Sequence, residues 1–165
     1  MRKFLILSMS LVLLVTTLEF STLPVYAKSI NATGKVVVSE TIEYFEDGSY
    51  MTIIVTEDIP TTKGIRSSKS GSKDYVMLNK NGNELWRFTV NGTFSVNPGV
   101  SSTCTAASCG FSITDDAWEN DSASSYCSEN QAIGDATFIR KLLSITVESR
   151  DCHVILTCDS NGNLS

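Results

Sequence analysis

The sequence predicts an all-β protein, built as an antiparallel β-sandwich or an open β-barrel, and three observations support this. Apolar and polar residues alternate with a period of two along several segments, which is the repeat of a strand and not of a helix. These segments are rich in Val, Ile, Thr and aromatic residues. Turn dipeptides containing Gly separate them, and short strands joined by such turns are typical of sandwiches and barrels.

The first 27 residues have the composition of a cleavable signal peptide. Two basic residues precede an apolar run over residues 4–18, and Pro24 and Ala27 supply the helix breaker and the small residue at the cleavage position. A membrane-spanning helix needs about 20 apolar residues, and the charge of Glu19 ends the run before that length. We therefore expect cleavage after Ala27, secretion as a soluble extracellular protein, and no stable membrane insertion after cleavage.

The charge balance limits the class of partner. The whole chain carries a formal net charge of −5, and removal of residues 1–27 takes away two of the 13 basic residues and one of the 18 acidic ones, so the mature chain stands at −6. Nucleic acids and anionic lipids attract clustered Lys and Arg. The sequence therefore argues against nucleic acid as a partner.

The mature chain divides into three parts. Residues 28–58 are predicted to form an N-terminal β-hairpin segment, with strands over 36–45 and 49–57 about the dipeptide Asp47-Gly48. Residues 59–73 hold several Gly, Ser and Thr and four Lys or Arg without an acidic residue, which predicts a polar, basic linker or loop. Residues 74–165 are predicted to be the main antiparallel β domain.

Within the main domain, the clearest alternation follows a second hairpin signal at Asn81-Gly82. Trp86, Phe88 and Val90 share one face of the predicted strand, which places Trp86 in the core. The remainder predicts a short strand over 110–114, a polar loop over 115–128, a central strand over 136–148 and, after a turn at 148–151, a strand over 152–158.

Read as a whole, residues 40–165 resemble a group of small secreted proteins of Gram-positive bacteria that have no assigned activity. The blocks that carry the resemblance are Tyr44-Phe45-Glu46-Asp47-Gly48-Ser49-Tyr50, Ser70-Gly71-Ser72-Lys73, Asn81-Gly82-Asn83-Glu84-Leu85-Trp86, Val90-Asn91-Gly92-Thr93-Phe94, and Leu156-Thr157-Cys158-Asp159-Ser160-Asn161-Gly162-Asn163-Leu164-Ser165. These are turns, a core tryptophan and a terminal strand, so the resemblance implies a fold and no substrate.

Five cysteines fit an oxidising compartment. Because the number is odd, at least one cysteine is unpaired or forms a bond to another molecule. Spacing alone leaves the pairing open. The resemblance implies a disulfide between Cys104 and Cys158, and it gives no pairing for Cys109, Cys127 and Cys152.

Catalytic chemistry has little support in the sequence, and no catalytic residue is assigned. The single histidine, His153, lies on the strand face opposite Cys152, so these neighbours do not form a nucleophile–base pair. One histidine and mostly oxidised cysteines are a poor ligand supply for zinc. We expect no metal and no cofactor.

Four acidic residues in the predicted loop over 115–128 have the right oxygen ligands for Ca²⁺ but not the spacing of an EF-hand: Asp115, Asp116, Glu119 and Asp121. A solvated acidic loop is the preferred interpretation. Trp118 lies in the same loop and is the candidate for stacking on a ligand, with a tryptophan folded over the sheet edge as the alternative. Tyr44 and Tyr50 are expected to form a cross-strand pair.

The function hypothesis is an exported β domain with a binding or structural role at the cell exterior, whose partner is a cell-wall polymer, a glycan or a protein. One alternative is an extracellular hydrolase, and another is a secreted antagonistic factor of the toxin or bacteriocin type. A deep cleft lined by residues 115–121 or by His153 would favour the hydrolase, and a smooth sandwich would count against it.

Overall fold

A computed structural model describes residues 34–59 and 68–165. The predicted signal peptide, residues 1–27, lies outside the described residues, as does most of the predicted linker. Within the described ranges there is no helix long and apolar enough to cross a membrane.

The described chain is all-β and forms two antiparallel sheets, as predicted. The larger sheet has five strands in the order β1-β2-β3-β4-β5, and the smaller has three in the order β6-β7-β8, so every neighbour in a sheet is also a neighbour in sequence. The strands are β1 Lys35–Tyr44, β2 Tyr50–Asp58, β3 Ser68–Leu78, β4 Glu84–Asn97, β5 Ser101–Ile113, β6 Trp118–Ser128, β7 Gln131–Leu142 and β8 Ile145–Thr157.

The two sheets enclose one core, and β4 supplies its centre. Trp86, Phe88 and Val90 on this strand are fully buried. The smaller sheet covers them with Phe138, whose ring stacks on Trp86 with the ring centroids 4.1 Å apart. Apolar side chains interleaved between two facing sheets are the packing of a β-sandwich.

Both predicted hairpins and the predicted core face are confirmed. The first hairpin pairs Tyr44 with Tyr50 across β1 and β2, and their ring centroids are 5.7 Å apart. The turns at residues 45–49 and 79–83 place Gly48 and Gly82 at φ angles of 81° and 83°, which Gly adopts without a Cβ penalty.

The predicted linker over 59–73 is wrong for its last six residues, which form the first half of β3. This half-strand is polar, and it stays in the sheet because its hydroxyls find cross-strand partners: the Ser72 and Thr56 hydroxyls are 2.7 Å apart and buried. Lys69 pairs with Glu57, and the Nζ of Lys73 donates to the carbonyl oxygen of Ile155. The hairpin segment predicted over 28–58 is therefore continuous with the main sheet.

The predicted polar loop over 115–128 is also wrong, because β6 occupies most of it. The short strand predicted over 110–114 is likewise only the end of β5. Both strands are rich in Ser and Ala and are exposed along most of their length. They therefore lack the alternation that identifies a half-buried strand in sequence.

The single central strand predicted over 136–148 is two strands joined by a tight turn. Leu143 and Ser144 form this turn with positive φ angles of 50° and 68°. The segment is apolar on both faces, but it is not a central strand. Its apolar residues continue into the exposed turn, where Leu143 is 90% exposed. The turn predicted at 148–151 lies inside β8.

The disulfide joins Cys104 to Cys127, with Cα atoms 5.5 Å apart, so the pairing of Cys104 with Cys158 is wrong. Cys158 is a free, fully buried cysteine. The reason lies in β6: once residues 118–128 form a strand beside β5, Cys127 comes next to Cys104 in the fold. Cys109 and Cys152 are also free.

Candidate functional site

Two depressions contain three of the side chains that the sequence singled out, Asp115, Trp118 and His153. The first, which we call the turn-end cavity, lies at the end of the sandwich where three chain connections meet, and its volume is about 440 Å³. It is lined by Asp47, Ser49, Met77, Asn79, Lys80, Leu85, Asp115, Trp118, Arg140 and Glu148.

Short-range hydrogen bonds fix the turns that form the rim of the turn-end cavity. Asp47 accepts a hydrogen bond from the backbone N–H of Ser49 at 2.9 Å and a second one from its hydroxyl. These two bonds, the hydroxyl bond first, hold the pKa of Asp47 below its ordinary value. In the next turn, the Oδ1 of Asn79 accepts the backbone N–H groups of Asn81 and Asn83 at 2.9 and 3.1 Å.

The floor of the turn-end cavity is apolar. Trp118 begins β6 and is buried in the core between the sheets, so it is neither an exposed stacking platform nor a residue folded over the sheet edge. Its ring meets Trp86 edge-on, with centroids 6.2 Å apart. Met77 and Leu85 complete this floor beside it.

Charged side chains of both signs surround that floor. Arg150 links two elements, because its Nε donates to Glu148 at 2.8 Å while its Nη2 lies 3.7 Å from Asp47. The same guanidinium lies over the ring of Phe45, 5.0 Å from its centroid. Arg140 contributes a weaker contact to Glu148 at 3.9 Å. The network connects the first hairpin to the smaller sheet.

The turn-end cavity therefore combines an apolar floor with fixed charges of both signs. Its volume is within the range of small-molecule sites, which are mostly apolar with a few placed polar groups. Such a site suits an amphipathic ligand that carries an apolar side chain and both a positive and a negative group.

The second depression, which we call the sheet-face depression, lies on the outer face of the smaller sheet and has a volume of about 310 Å³. It contains the predicted candidate His153, whose Nδ1 is 2.6 Å from the Oδ1 of Asp135. Beside this pair, the Thr137 hydroxyl donates to Asp151 at 2.8 Å. Ser122 and Ser124 border it on β6.

This arrangement lacks the geometry of a nucleophile–base pair. Strand pairing puts Ser124 opposite Asp135 and Asp135 opposite His153, so the carboxylate lies between the hydroxyl and the imidazole. A serine hydrolase needs the imidazole in the middle. As expected, Cys152 faces the core, and burial, followed by the charge of Asp151, raises the pKa of its thiol to about 12.

The four acidic residues weighed as Ca²⁺ ligands are separated by the strand that replaces their loop. Asp115 accepts the backbone N–H of Ala117 at 2.9 Å, and Glu119 pairs with Lys141 across the sheet. Asp121 lies at a bulge of β6. Over residues 34–59 and 68–165 there is no group of three or more His, Cys, Asp and Glu side chains that could hold a metal ion.

Sequence reasoning missed several residues of both depressions. Arg140 and Glu148 were assigned to one long strand, and only the turn at residues 143–144 makes them neighbours. Asp135 and Asp151 meet His153 and Thr137 through strand register, which one sequence does not reveal. One signal was available in the sequence: polar residues alternate along two adjacent strands, at Asp135 and Thr137 and at Asp151 and His153.

Comparison of the chain with known protein families, curated proteins and solved structures finds no match. The functional argument therefore depends on the geometry of the two depressions.

Proposed function

We propose that this protein is an exported binding domain of the cell exterior and that the turn-end cavity is its ligand site. The preferred ligand class is a small amphipathic molecule or chain end with charges of both signs, such as a short peptide with free termini. An apolar side chain would rest on the half-buried Leu85, which lies over the buried Met77 and Trp118. The charged groups would meet Lys80 and the acidic rim residues.

The observation that carries this proposal is the construction of the cavity from three separate connections and from β7 and β8 at one end of the sandwich. Loops clustered at a sandwich end and held by a rigid scaffold are a common place for binding residues. Here the Asp47 and Asn79 side chains hold two of these turns by hydrogen bonds. A site held in one conformation loses less entropy when a ligand binds.

The hydrolase alternative has weaker support. Its best candidate, His153, lies in an open depression with 58% of its side chain exposed, and its carboxylate partner Asp135 lies between it and Ser124. Water reaches such a site freely, so it lacks the preorganised, water-excluding environment that catalysis uses. The antagonistic role has no feature of its own among the described residues.

Export is supported by the basic and apolar leader, and the Cys104–Cys127 disulfide is consistent with an oxidising compartment. The test is mass spectrometry of the protein recovered from culture medium. We expect the mature chain to begin at Lys28. Recovery only from the cytoplasm or the membrane fraction would contradict export.

Ligand binding is tested by NMR titration with tripeptides that have free termini and contain alanine, leucine and lysine. We expect amide shifts centred on residues 45–49, 77–85 and 115–118. The variant Lys80→Glu, which alters an exposed rim charge, should weaken binding about tenfold, equal to 1.4 kcal/mol. Glu40→Gln, on an exposed part of β1 outside the cavity, is the matched control and should bind as the wild type does. Shifts elsewhere, or none at all, would contradict the assignment.

A further inference from the structure

We propose a second binding site, independent of the turn-end cavity: the sheet-face depression binds an oligosaccharide of neutral or amino sugars, and Tyr126, in the adjoining row of the same sheet face, is the stacking platform. This goes beyond the proposed function because it uses a different face of the molecule and a different ligand chemistry.

Strand register arranges the outer face of the smaller sheet in rows. One row holds Ser124, Asp135 and His153 on β6, β7 and β8. The next row along the strands holds Tyr126, Ile133 and Ile155. Successive residues on one face of a strand are roughly 7 Å apart. A polar row and a partly apolar row therefore lie side by side.

The polar side chains on this face keep unused hydrogen-bonding groups. Asp135 and Asp151 each use one carboxylate oxygen, Oδ1, for His153 and Thr137. Neither Oδ2 receives a hydrogen bond from another described residue. Each carboxylate thus offers an acceptor already oriented by its partner, and sugar hydroxyls are donors that carboxylates bind well. The His153 side chain is 58% exposed and uses its Nδ1 for Asp135, so its Nε2 is left for a further hydrogen bond.

Tyr126 supplies the apolar part of the site. It is 49% exposed and lies next to Ile133 in the partly apolar row. Ile133 beside it is only 7% exposed, so the row provides a packed base for the ring. An aromatic ring with a polar edge, set beside acceptor side chains, matches a sugar ring with an apolar face and a hydroxylated rim.

The charge of the face selects among sugars. Two carboxylates lie on it with one histidine. Of the nearest described cations, Arg150 pairs with Glu148 and Asp47, and the Lys73 ammonium donates to the carbonyl oxygen of Ile155. Phosphate- or sulfate-bearing polymers are therefore repelled. Neutral sugars and sugars with an amino group remain.

The experiment titrates the full mature chain with chitohexaose, its deacetylated amino form and cellohexaose, by isothermal calorimetry and by amide shifts in NMR. We expect at least one of these to bind with shifts centred on residues 122–126, 133–137 and 151–155. Tyr126→Ala should weaken this binding about tenfold. Tyr126→Phe, which keeps the ring, should remain within about threefold. Tyr44→Ala removes another exposed tyrosine at the far end of the sandwich and should leave binding unchanged.

Three results would overturn the proposal: no binding by any of the three probes, equal binding by Tyr126→Ala and the wild type, or shifts confined to the turn-end cavity. The second and third would assign the sugar to another surface. Failure of the tripeptide titration with success here would remove the turn-end cavity as a ligand site and leave this one standing, so the two proposals fail separately.

Discussion

At the scale of single residues, a glycine on β7 determines how closely the two sheets approach. Gly134 faces β4 across the sandwich, and a Cβ at this position would overlap Val90 and lie 3.2 Å from the Phe88 ring. We expect Gly134→Ala to lower the free energy of unfolding by about 1–3 kcal/mol, the cost of overpacking a core. Urea denaturation monitored by circular dichroism measures it.

The matched control is Gly110→Ala on β5. A Cβ there meets nothing within 4 Å, and the φ angle of Gly110 is not in the left-handed region. Stability should be unchanged or should rise by about 0.5 kcal/mol, because alanine restricts the unfolded chain. Equal effects of the two substitutions would show that sheet spacing at Gly134 is not constrained.

The thiol of Cys152 should make stability depend on alkaline pH. Its pKa is raised from 9.0 to about 12 by burial and by the charge of Asp151. Because the pKa is raised in the folded state, the thiol contributes to the free energy of unfolding. This contribution is complete below pH 9 and is lost as the pH rises toward about 12. Across this pH interval, the unfolding free energy of the wild type should fall more steeply than that of Cys152→Ala. Parallel curves would contradict the burial of an un-ionised thiol.

At the scale of elements, the sequence was informative where one strand face is buried and turn residues are distinctive. The hairpins at Asp47-Gly48 and Asn81-Gly82 and the core face of β4 were predicted for this reason. It was uninformative for β5, β6 and the first half of β3. These strands are rich in Ser and are held by backbone ladders, with a buried cross-strand hydroxyl contact added in β3, and neither feature leaves an alternation to detect.

The β7–β8 turn was missed because it carries the wrong residues for its backbone. Two-residue hairpin turns favour Asn-Gly, and here Leu143-Ser144 takes the positive φ angles. We expect the double substitution Leu143→Asn, Ser144→Gly to raise the unfolding free energy by about 1–2 kcal/mol, by relieving backbone strain. Thermal unfolding measures the gain.

Leu142→Asn is the control for this turn, because Leu142 is also exposed but has an ordinary φ angle. Its effect should stay within about 0.5 kcal/mol. A gain equal to that of the double substitution would mean that surface polarity, and not backbone conformation, changes the stability.

At the scale of the whole molecule, the candidate sites depend on how two sheets of unequal width are connected. The turn-end cavity draws residues from both sheets, and the salt bridges of Arg150 hold its rim across them. The sequence placed Asp115, Trp118 and His153 on the list of candidates but could not say which of them converge. Convergence here follows from register and from sheet packing, and both involve residues far apart in the chain.

The disulfide cross-links the two sheets, since Cys104 lies on β5 and Cys127 lies on β6. The two are 23 residues apart, and a loop of this length predicts about 3 kcal/mol of stabilisation through the unfolded chain. We expect Cys127→Ser to lose that amount in urea denaturation, and Cys109→Ser, which changes a free thiol, to lose less than 1.5 kcal/mol. Peptide mapping without reductant should recover Cys104 joined to Cys127. A Cys104–Cys158 peptide, or equal stability of the two variants, would mean that another link connects the sheets.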